Sequence, residues 1–379
     1  MTITSVTAIP VRLPRDIGAA TGTAGSPTTL SEGPGSYRWS SVYPCLYSTR
    51  FETALVRVET SEGHTGWGEA QAPVAPEVAC AIIDHILAGA LTGQPFDGSP
   101  ARIAELWDLM YATMRVRGQT GGFMLDAISA LDIALWDIAG QLAGKPICEL
   151  LTPRPKRTIP AYLSGLPRGE TGTGGFRLVK LFYDTQTPGE FFEHADAVIA
   201  AGGQIAVDAL WRHTPESALD FGAQLEKRNA VWFEAPLAPE DPLAHAALAR
   251  ELSVPIALGE SYRTRHEMLP FFRAGALGVY QPDLGRCGIT EGLRLAALAA
   301  DHGVPVVPHV SIAFGPQLAA AIHFAAAVDN CSLAEYNPQV LAVANRFLVS
   351  PISMDGSRYI VPSASGLGIN LTPPPGDAR

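Results

Sequence analysis

The sequence IAVD at residues 205–208 returns in altered form as VWFE at 231–234 and as IALGE at 256–260. Three further apolar runs also end directly before a polar residue, at 279–282, 304–308 and 332–334. The residues that follow the six runs, spaced 26, 26, 23, 26 and 26 residues apart, are Asp208, Glu234, Glu260, Asp283, His309 and Glu335. A repeat of this length, with a strand-like run and then a helix-like stretch, is typical of the βα units of a parallel barrel.

The position of these polar residues at the end of each run predicts a shared site. A parallel strand that is covered on both faces is apolar throughout and tolerates a charge only where it emerges. The carboxyl ends of the strands of a barrel meet at one mouth, where such enzymes keep their active sites. Solvated loop acids are the alternative for any single residue, but six residues in register favour the shared mouth.

Length and composition fit an enzyme of this kind. The chain has 379 residues, which exceeds the roughly 250 of a plain barrel and leaves room for a second domain. The net charge of −10 argues against nucleic acid or an anionic membrane as partner, and no run approaches the ~18 apolar residues of a membrane span. Five cysteines without a CxxC pair, and no signal peptide, predict reduced thiols and a cytoplasmic protein.

The segment before the barrel has the pattern of an α+β domain, which we place at residues 1–122. Apolar alternation predicts a first strand over 3–13 and a hairpin over 53–69, and helical periodicity follows at 75–90 and 100–114. Between the strands, residues of about 15–45 are rich in Gly, Ser, Thr and Pro. We interpret this stretch as a lid loop over the active site, with a loosely packed connector as the alternative.

We place the barrel at residues 123–350. A helix with apolar positions every three or four residues, at 123–142, is expected to lead into it. Strands predicted at 161–164 and 176–182 bring the total to eight. The remaining residues, 351–379, lie beyond any further βα unit, and we expect them to return to the first domain as part of it.

Several short motifs resemble one known family in order and spacing. They are Gly63-His64-Thr65-Gly66-Trp67-Gly68-Glu69, Ala134-Leu135-Trp136-Asp137, Trp232-Phe233-Glu234-Ala235-Pro236-Leu237, Gly259-Glu260-Ser261, Gln281-Pro282-Asp283, Pro308-His309 and Ala334-Glu335-Tyr336. Together they resemble the enolase superfamily, in its mandelate racemase-like branch, over nearly the whole chain. The resemblance implies a modified TIM (β/α) barrel whose mouth is closed by an α+β capping domain, built from the N-terminal segment and the C-terminal tail. Relatives often assemble, so we expect a homo-oligomer.

Three carboxylates on successive strand ends, Asp208, Glu234 and Glu260, predict a metal site. Oxygen-only donors are those that Mg²⁺ prefers, and Mn²⁺ shares them. The resemblance places the magnesium ligands of the family at these same three positions. The alternative is that each carboxylate pairs with a nearby lysine or arginine.

A substrate carboxylate bound to the metal allows the proton on the adjacent carbon to be removed, because the metal stabilises the enediolate that forms. His309 is the candidate base for this step. Sites of the enolase superfamily use a Lys or His base with Mg²⁺. Asp283 lies one repeat earlier and can fix the tautomer of the imidazole. Glu335 looks like the family residue that hydrogen-bonds a substrate carboxylate as a protonated acid; an ionised Glu335 paired with a lysine is the alternative.

The sequence departs from the family on the second barrel strand. Lys180 matches the first lysine of a Lys-x-Lys pair, but Phe182 replaces the second, which acts on the side of the substrate opposite the histidine. Leu210 also stands where many members have asparagine. Racemisation needs proton transfer on two faces, whereas dehydration can use one residue as base and then as acid. We therefore predict Mg²⁺-dependent dehydration of a sugar acid, an aldonate or aldarate, to a 2-keto-3-deoxy acid.

Other interpretations stay open. A racemase or epimerase could use Lys180, Tyr162 or Tyr183 in place of the missing lysine, and a non-catalytic relative could bind an acid ligand. An unrelated metal-dependent hydrolase fits poorly, because no histidines follow the first strand in the required positions. The expected partner is a small-molecule carboxylate. The residues that could bind its distal end are Arg38, Trp39 and Arg286.

Overall fold

The computed structural model of the protein describes residues 1–14, 37–39, 45–184 and 186–372. Most of the predicted lid, about residues 15–45, lies outside these ranges, including 15–36 and 40–44. Residues 37–39 and 45 of that stretch are described, and residues 37–39 form a short antiparallel ladder with residues 46–48.

The first part of the chain is an antiparallel sheet covered by helices, as predicted. The strands of this part of the chain are β1 (Ile3–Pro14), β2 (Tyr37–Trp39), β3 (Leu46–Ser48), β4 (Arg50–Thr60) and β5 (Thr65–Ala70). Strands β1, β4 and β5 form one sheet with β4 in the middle. The helices that follow are α1 (Pro76–Ile82), α2 (Ala88–Leu91), α3 (Pro100–Arg115) and α4 (Gly122–Ala143). The single helix expected over 75–90 is interrupted by a π-helical turn, Ile83–Leu87.

Two glycines of β5 bring α4 unusually close to the sheet. A Cβ on Gly68 would lie 1.8 Å from the carbonyl oxygen of Ala130, and one on Gly66 would lie 2.2 Å from that of Ala134. Both distances are far below van der Waals contact, so no side chain fits at either position. The long apolar helix α4 is therefore buried against the sheet and not on the protein surface.

The second part of the chain is the predicted (β/α) barrel. Its helices and strands, after a short helix α5 (Ile147–Leu151), are β6 (Thr158–Ser164), β7 (Leu178–Phe182), α6 (Pro188–Ala200), β8 (Gln204–Asp208), α7 (Pro215–Glu226), β9 (Phe233–Glu234), α8 (Pro242–Glu251), β10 (Ile256–Leu258), α9 (Arg265–Ala274), β11 (Val279–Tyr280), α10 (Leu284–Asp301), α11 (Pro316–Ala327) and β12 (Ala334–Tyr336). Strands β6 to β11 pair in parallel in chain order, and β12 pairs with β6.

The predicted strand at 304–308 is irregular but occupies the seventh place in the barrel. Val306 bridges Tyr280 on one side and Cys331 on the other, and His309 bridges Asp283. Pro305 and Pro308 have no N–H group to donate, which prevents a continuous ladder. The eight predicted positions are thus all filled, and the barrel closes between β12 and β6.

The C-terminal segment contacts both parts of the chain. After α12 (Pro338–Asn345), a hairpin of β13 (Met354–Asp355) and β14 (Arg358–Ile360) adds antiparallel to the start of β6. Leu367, further along, bonds to α4 and α11 through its backbone. The domain limits at 122/123 and 350/351 remain predictions.

The expectations about membrane-spanning helices and about the cysteines can be compared with the described residues. Among them, no helix is both long enough and apolar enough to cross a membrane. All five cysteines lie in the described ranges and are free thiols, as predicted.

Candidate active site

The carboxyl ends of the barrel strands bring the predicted polar residues together. Asp208 and Glu234 are register partners at the ends of β8 and β9, and Asp283 is bridged to His309. Most of these side chains are almost inaccessible, with Asp208 3% and Glu335 1% exposed. Neighbouring parallel strands end at one edge, which explains why residues so distant in sequence meet.

Lys180 lies at the centre of this group and is fully enclosed. Its Nζ is 2.8 Å from Oε1 of Glu234, 2.9 Å from Oε1 of Glu335 and 4.0 Å from Oδ2 of Asp208. Burial lowers the pKa of Lys180, but the carboxylates of Glu234 and Glu335 outweigh it and hold the pKa well above its ordinary value. The lysine is therefore a fixed positive charge in a cluster of acids.

Glu335 pairs with Lys180 and accepts a hydrogen bond from the backbone N–H of Val310, 2.9 Å away. Burial raises the pKa of Glu335, but the charges of Lys180 and His309 lower it by more, so the net shift of this pKa is downward. The protonated Glu335 that we expected from the family resemblance does not suit this arrangement. The ionised form, paired with a lysine, is the alternative that the arrangement favours.

His309 contacts a carboxylate through each of its ring nitrogens. Nδ1 is 2.9 Å from Oδ2 of Asp283, and Nε2 is 2.8 Å from Oε2 of Glu260. Asp283 is itself held by the backbone N–H of Gly285 and the amide of Gln317, which fixes its direction. Burial lowers the pKa of His309, but Glu260 and Glu335 outweigh it and raise it well above the ordinary value.

The three predicted metal ligands lie on neighbouring strand ends but do not converge on one point. No group of three or more His, Cys, Asp or Glu side chains in the described ranges is arranged to hold a metal ion. Glu234 is turned toward Lys180, and Glu260 toward His309. Burial, followed by the charge of Glu234, raises the pKa of Asp208 well above its ordinary value.

The donor chemistry of these three residues nevertheless fits a divalent cation. All donors are carboxylate oxygens, which Mg²⁺ and Mn²⁺ prefer. Burial first, and then the charge of Glu234, raises the pKa of Asp208, and a bound cation would favour the ionised form of this carboxylate. Glu260 would have to turn from His309 to join Asp208 and Glu234, and that turn would also free Nε2 of the imidazole.

The candidates for a second base are poorly disposed for proton transfer. Tyr183 lies on the helix side of the barrel, where its ring packs 4.6 Å from Phe221. Tyr162 is buried in the barrel interior; burial and the charge of Glu335 raise its pKa well above the ordinary value. Phe182 occupies the place of the second family lysine, with its ring 5.5 Å from Nζ of Lys180.

Of the three residues predicted to contact the distal end of a substrate, Arg286 acts electrostatically on Glu260 of the site. The guanidinium of Arg38 donates to the carbonyl of Tyr37, and Trp39 is 54% exposed. Arg286 lies 3.9 Å from Asp126, and its buried Nε has no hydrogen-bond partner. Nothing in these contacts assigns a substrate to any of the three.

Three side chains that hold the acids were not found from the sequence. Trp232 and Gln281 both donate to Oε2 of Glu234, at 3.0 and 2.8 Å, and Trp211 donates to Oε1 of Glu260 at 3.3 Å. Gln281 could have been noticed as a polar residue inside an apolar strand. The tryptophans give no such signal, because a tryptophan near a strand end is usually part of the core.

Two family models match the chain. The model described as "Mandelate racemase / muconate lactonizing enzyme, N-terminal domain" matches residues 47–152, and "Enolase C-terminal domain-like" matches residues 170–374. Two relatives cover most of the chain. D-galactarolactone cycloisomerase of Agrobacterium fabrum is 30% identical, over 86% of this chain and 91% of its own. Arabinonate dehydratase of Saccharolobus solfataricus is 32% identical, over 84% and 88%.

Solved structures agree with these matches. A proposed isomerase from Sinorhizobium meliloti superposes with a TM-score of 0.90 at 33% identity, covering 98% of this chain and 97% of its own. A racemase from Streptomyces coelicolor with bound magnesium gives a TM-score of 0.79 at 25% identity, over 98% and 97%. The matched models, the identities and the barrel with its ring of acids lead to one conclusion: this chain belongs to the enolase superfamily, in the mandelate racemase / muconate lactonizing enzyme family.

Proposed function

We propose that this protein is a metal-dependent dehydratase that converts a sugar acid, an aldonate or aldarate, into a 2-keto-3-deoxy acid. The observation that supports it most is the His309–Asp283 pair, with Phe182 where a second base would be needed for racemisation. A relative at 32% identity is named arabinonate dehydratase, which points to the same class of substrate.

Asp208, Glu234 and Glu260 would hold the cation, Mg²⁺ or Mn²⁺. When bound, it supplies stabilisation for the negative charge that develops on the substrate carboxylate. One related structure, the racemase from Streptomyces coelicolor, contains magnesium. Lys180 adds a fixed positive charge beside the same carboxylate, and Glu335 keeps that lysine in place.

His309 would act on one face of the substrate in both steps. Its Nε2 removes the proton from the carbon next to the carboxylate, while Asp283 holds the opposite N–H of the ring. The bond from the neighbouring carbon to its hydroxyl then breaks, and the proton on Nε2 leaves with that hydroxyl as water. The remaining enol takes a proton from solvent and becomes the 2-keto acid.

Ring opening is a second candidate, because a relative at 30% identity is named D-galactarolactone cycloisomerase. The first proton transfer is the same. The leaving oxygen is then part of a ring, stays attached to the product, and no water is released. An epimerase is disfavoured because Lys180 is held as a cation by Glu234 and Glu335.

The test is incubation of the protein and Mg²⁺ with a library of mono- and diacid sugars and their lactones, followed by carbonyl derivatisation. We expect a 2-keto product that disappears with EDTA and falls at least 1,000-fold in the His309→Asn variant, since a general acid–base residue contributes about 10²–10⁴-fold per step. The exposed His85 gives the matched control, His85→Asn, which should keep full activity. Turnover by His309→Asn near the parent rate would contradict the proposal.

A further inference from the structure

The chain directly after Asp208 adopts a backbone conformation that its residues disfavour. Leu210 and Trp211 both have positive φ angles, 54° and 59°, in the left-handed region. Ala235, which follows Glu234, also lies there, with φ 47°. Neither Leu nor Trp is suited to this region, where asparagine and glycine are common. Such residues persist where the surrounding structure holds them, often at functional sites.

The contacts of this turn explain why it is held. The N–H of Leu210 donates to Oδ1 of Asp208 at 2.9 Å, and the N–H of Trp211 donates to the carbonyl of Ala235 at 2.7 Å. The turn therefore ties the end of β8 to the segment that follows β9. It also directs the partly buried indole of Trp211 across to Glu260, which lies beyond β10.

Glu260 is held at both of its oxygens. Oε1 accepts the indole N–H of Trp211 at 3.3 Å, and Oε2 lies 2.8 Å from Nε2 of His309. The proposed function requires Nε2 to be free for the substrate, so the contact between Glu260 and His309 must open. Once it has opened, the indole N–H of Trp211 still holds the carboxylate of Glu260.

We propose that Trp211 is a positioning residue for Glu260. Its N–H holds Oε1 and directs the carboxylate toward Asp208 and Glu234, away from the imidazole. Trp232 makes the corresponding bond to Glu234 from inside the barrel, so two of the three acids are oriented by an indole. Polar partners of this kind orient metal ligands, and their removal usually costs about 10–100-fold in metal affinity. This inference rests on the proposed metal site.

The experiment is calorimetric titration of Mg²⁺ alone into the parent protein and into Trp211→Phe, with no substrate present. Phenylalanine keeps an aromatic ring and has the same backbone preferences, but it lacks the indole N–H. We expect the dissociation constant for Mg²⁺ to rise about 10–100-fold. The thermal midpoint should stay close to that of the parent, because a purely structural role would change stability and leave affinity unaltered.

Trp107→Phe is the matched control, because Trp107 is buried in α3 and its Nε1 has no hydrogen-bond partner. Its affinity for Mg²⁺ should equal that of the parent. Tryptophan fluorescence gives a second readout: Mg²⁺ should change the emission of the parent and of Trp107→Phe, and change it much less in Trp211→Phe. Trp211→Leu, which also lacks a donor, is the second variant if the phenylalanine variant does not fold, and the same rise in the dissociation constant is expected.

The outcomes separate the two proposals. A folded Trp211→Phe protein that binds Mg²⁺ within about twofold of the parent overturns the positioning role and leaves the proposed function intact. A parent protein that binds no Mg²⁺ overturns the metal site and this inference with it.

Discussion

At the scale of single residues, the site depends on how buried charges compensate one another. Lys180 is within 3 Å of two carboxylates and has almost no contact with water. Removing one partner of a buried ion pair leaves the other charge without compensation, which is more costly than the net value of the pair. The lysine should therefore contribute to stability as well as to substrate binding.

We expect Lys180→Met to lower the free energy of unfolding by about 3–5 kcal/mol, because Glu234 and Glu335 lose their counter-charge. Urea unfolding at neutral pH measures the change. Added Mg²⁺ should restore part of the loss in the variant, since a cation near Glu234 would replace the missing charge. A variant as stable as the parent would mean that the two acids are protonated or hydrated when Lys180 is absent.

The sequence could reveal the acids of the site because each one directly follows an apolar run. A buried strand tolerates an acid only at the end where it leaves the barrel, so Asp208 and Glu234 are recognisable from the sequence. The partner that each acid takes was not recognisable. Whether Glu335 is protonated or paired with Lys180 depends on side-chain distances of a few ångströms, and residue spacing does not contain that information.

At the scale of helices and strands, periodicity predicted the long regular elements well and the short ones less well. The helix expected over 123–142 is observed at Gly122–Ala143. The run at 304–308 forms bridges and not a ladder, because two of its residues are prolines. Strand β14 pairs with β6 although nearly 200 residues separate them, a contact that no local pattern indicates.

The close packing of β5 on α4 leads to a prediction for Gly68→Ala. The new Cβ would lie 1.8 Å from the carbonyl oxygen of Ala130, so sheet and helix must separate. Overpacking of this kind costs about 1–3 kcal/mol or more. Gly89→Ala in α2 is the control, because nothing lies within 4 Å of the added atom. Thermal unfolding should show a lower midpoint for Gly68→Ala alone; equal midpoints would mean that α4 is less closely packed.

At the scale of the whole molecule, the C-terminal segment joins the two parts of the fold. The N–H of Leu367 donates to Oδ1 of Asp137 in α4 at 2.8 Å. Its carbonyl accepts from Nε2 of His323 in α11 at 3.0 Å. One residue of the tail thus connects the helix beneath the N-terminal sheet with a helix of the barrel. The sequence indicated that the tail leaves the barrel, but not which backbone groups it bonds.

His323 makes this connection sensitive to pH. Burial lowers its pKa from 6.5 to about 4, and its Nδ1 is enclosed without a hydrogen-bond partner. The unfolded chain takes up a proton below about pH 6.5, whereas the folded protein does so only near pH 4. The part of the free energy of unfolding that depends on neutral His323 is therefore fully present above about pH 6.5, and it is lost as the pH falls toward 4.

The comparison with His323→Gln isolates this effect, because glutamine can still donate to Leu367 but does not titrate. Between pH 7 and pH 5 the parent should lose about 2 kcal/mol more of its free energy of unfolding than the variant, from a pKa difference of this size. Urea unfolding at both pH values measures it, with the exposed His85→Gln as the control that follows the parent. If parent and His323→Gln change equally, His323 is protonated in the folded protein, and the tail must move to admit the charge.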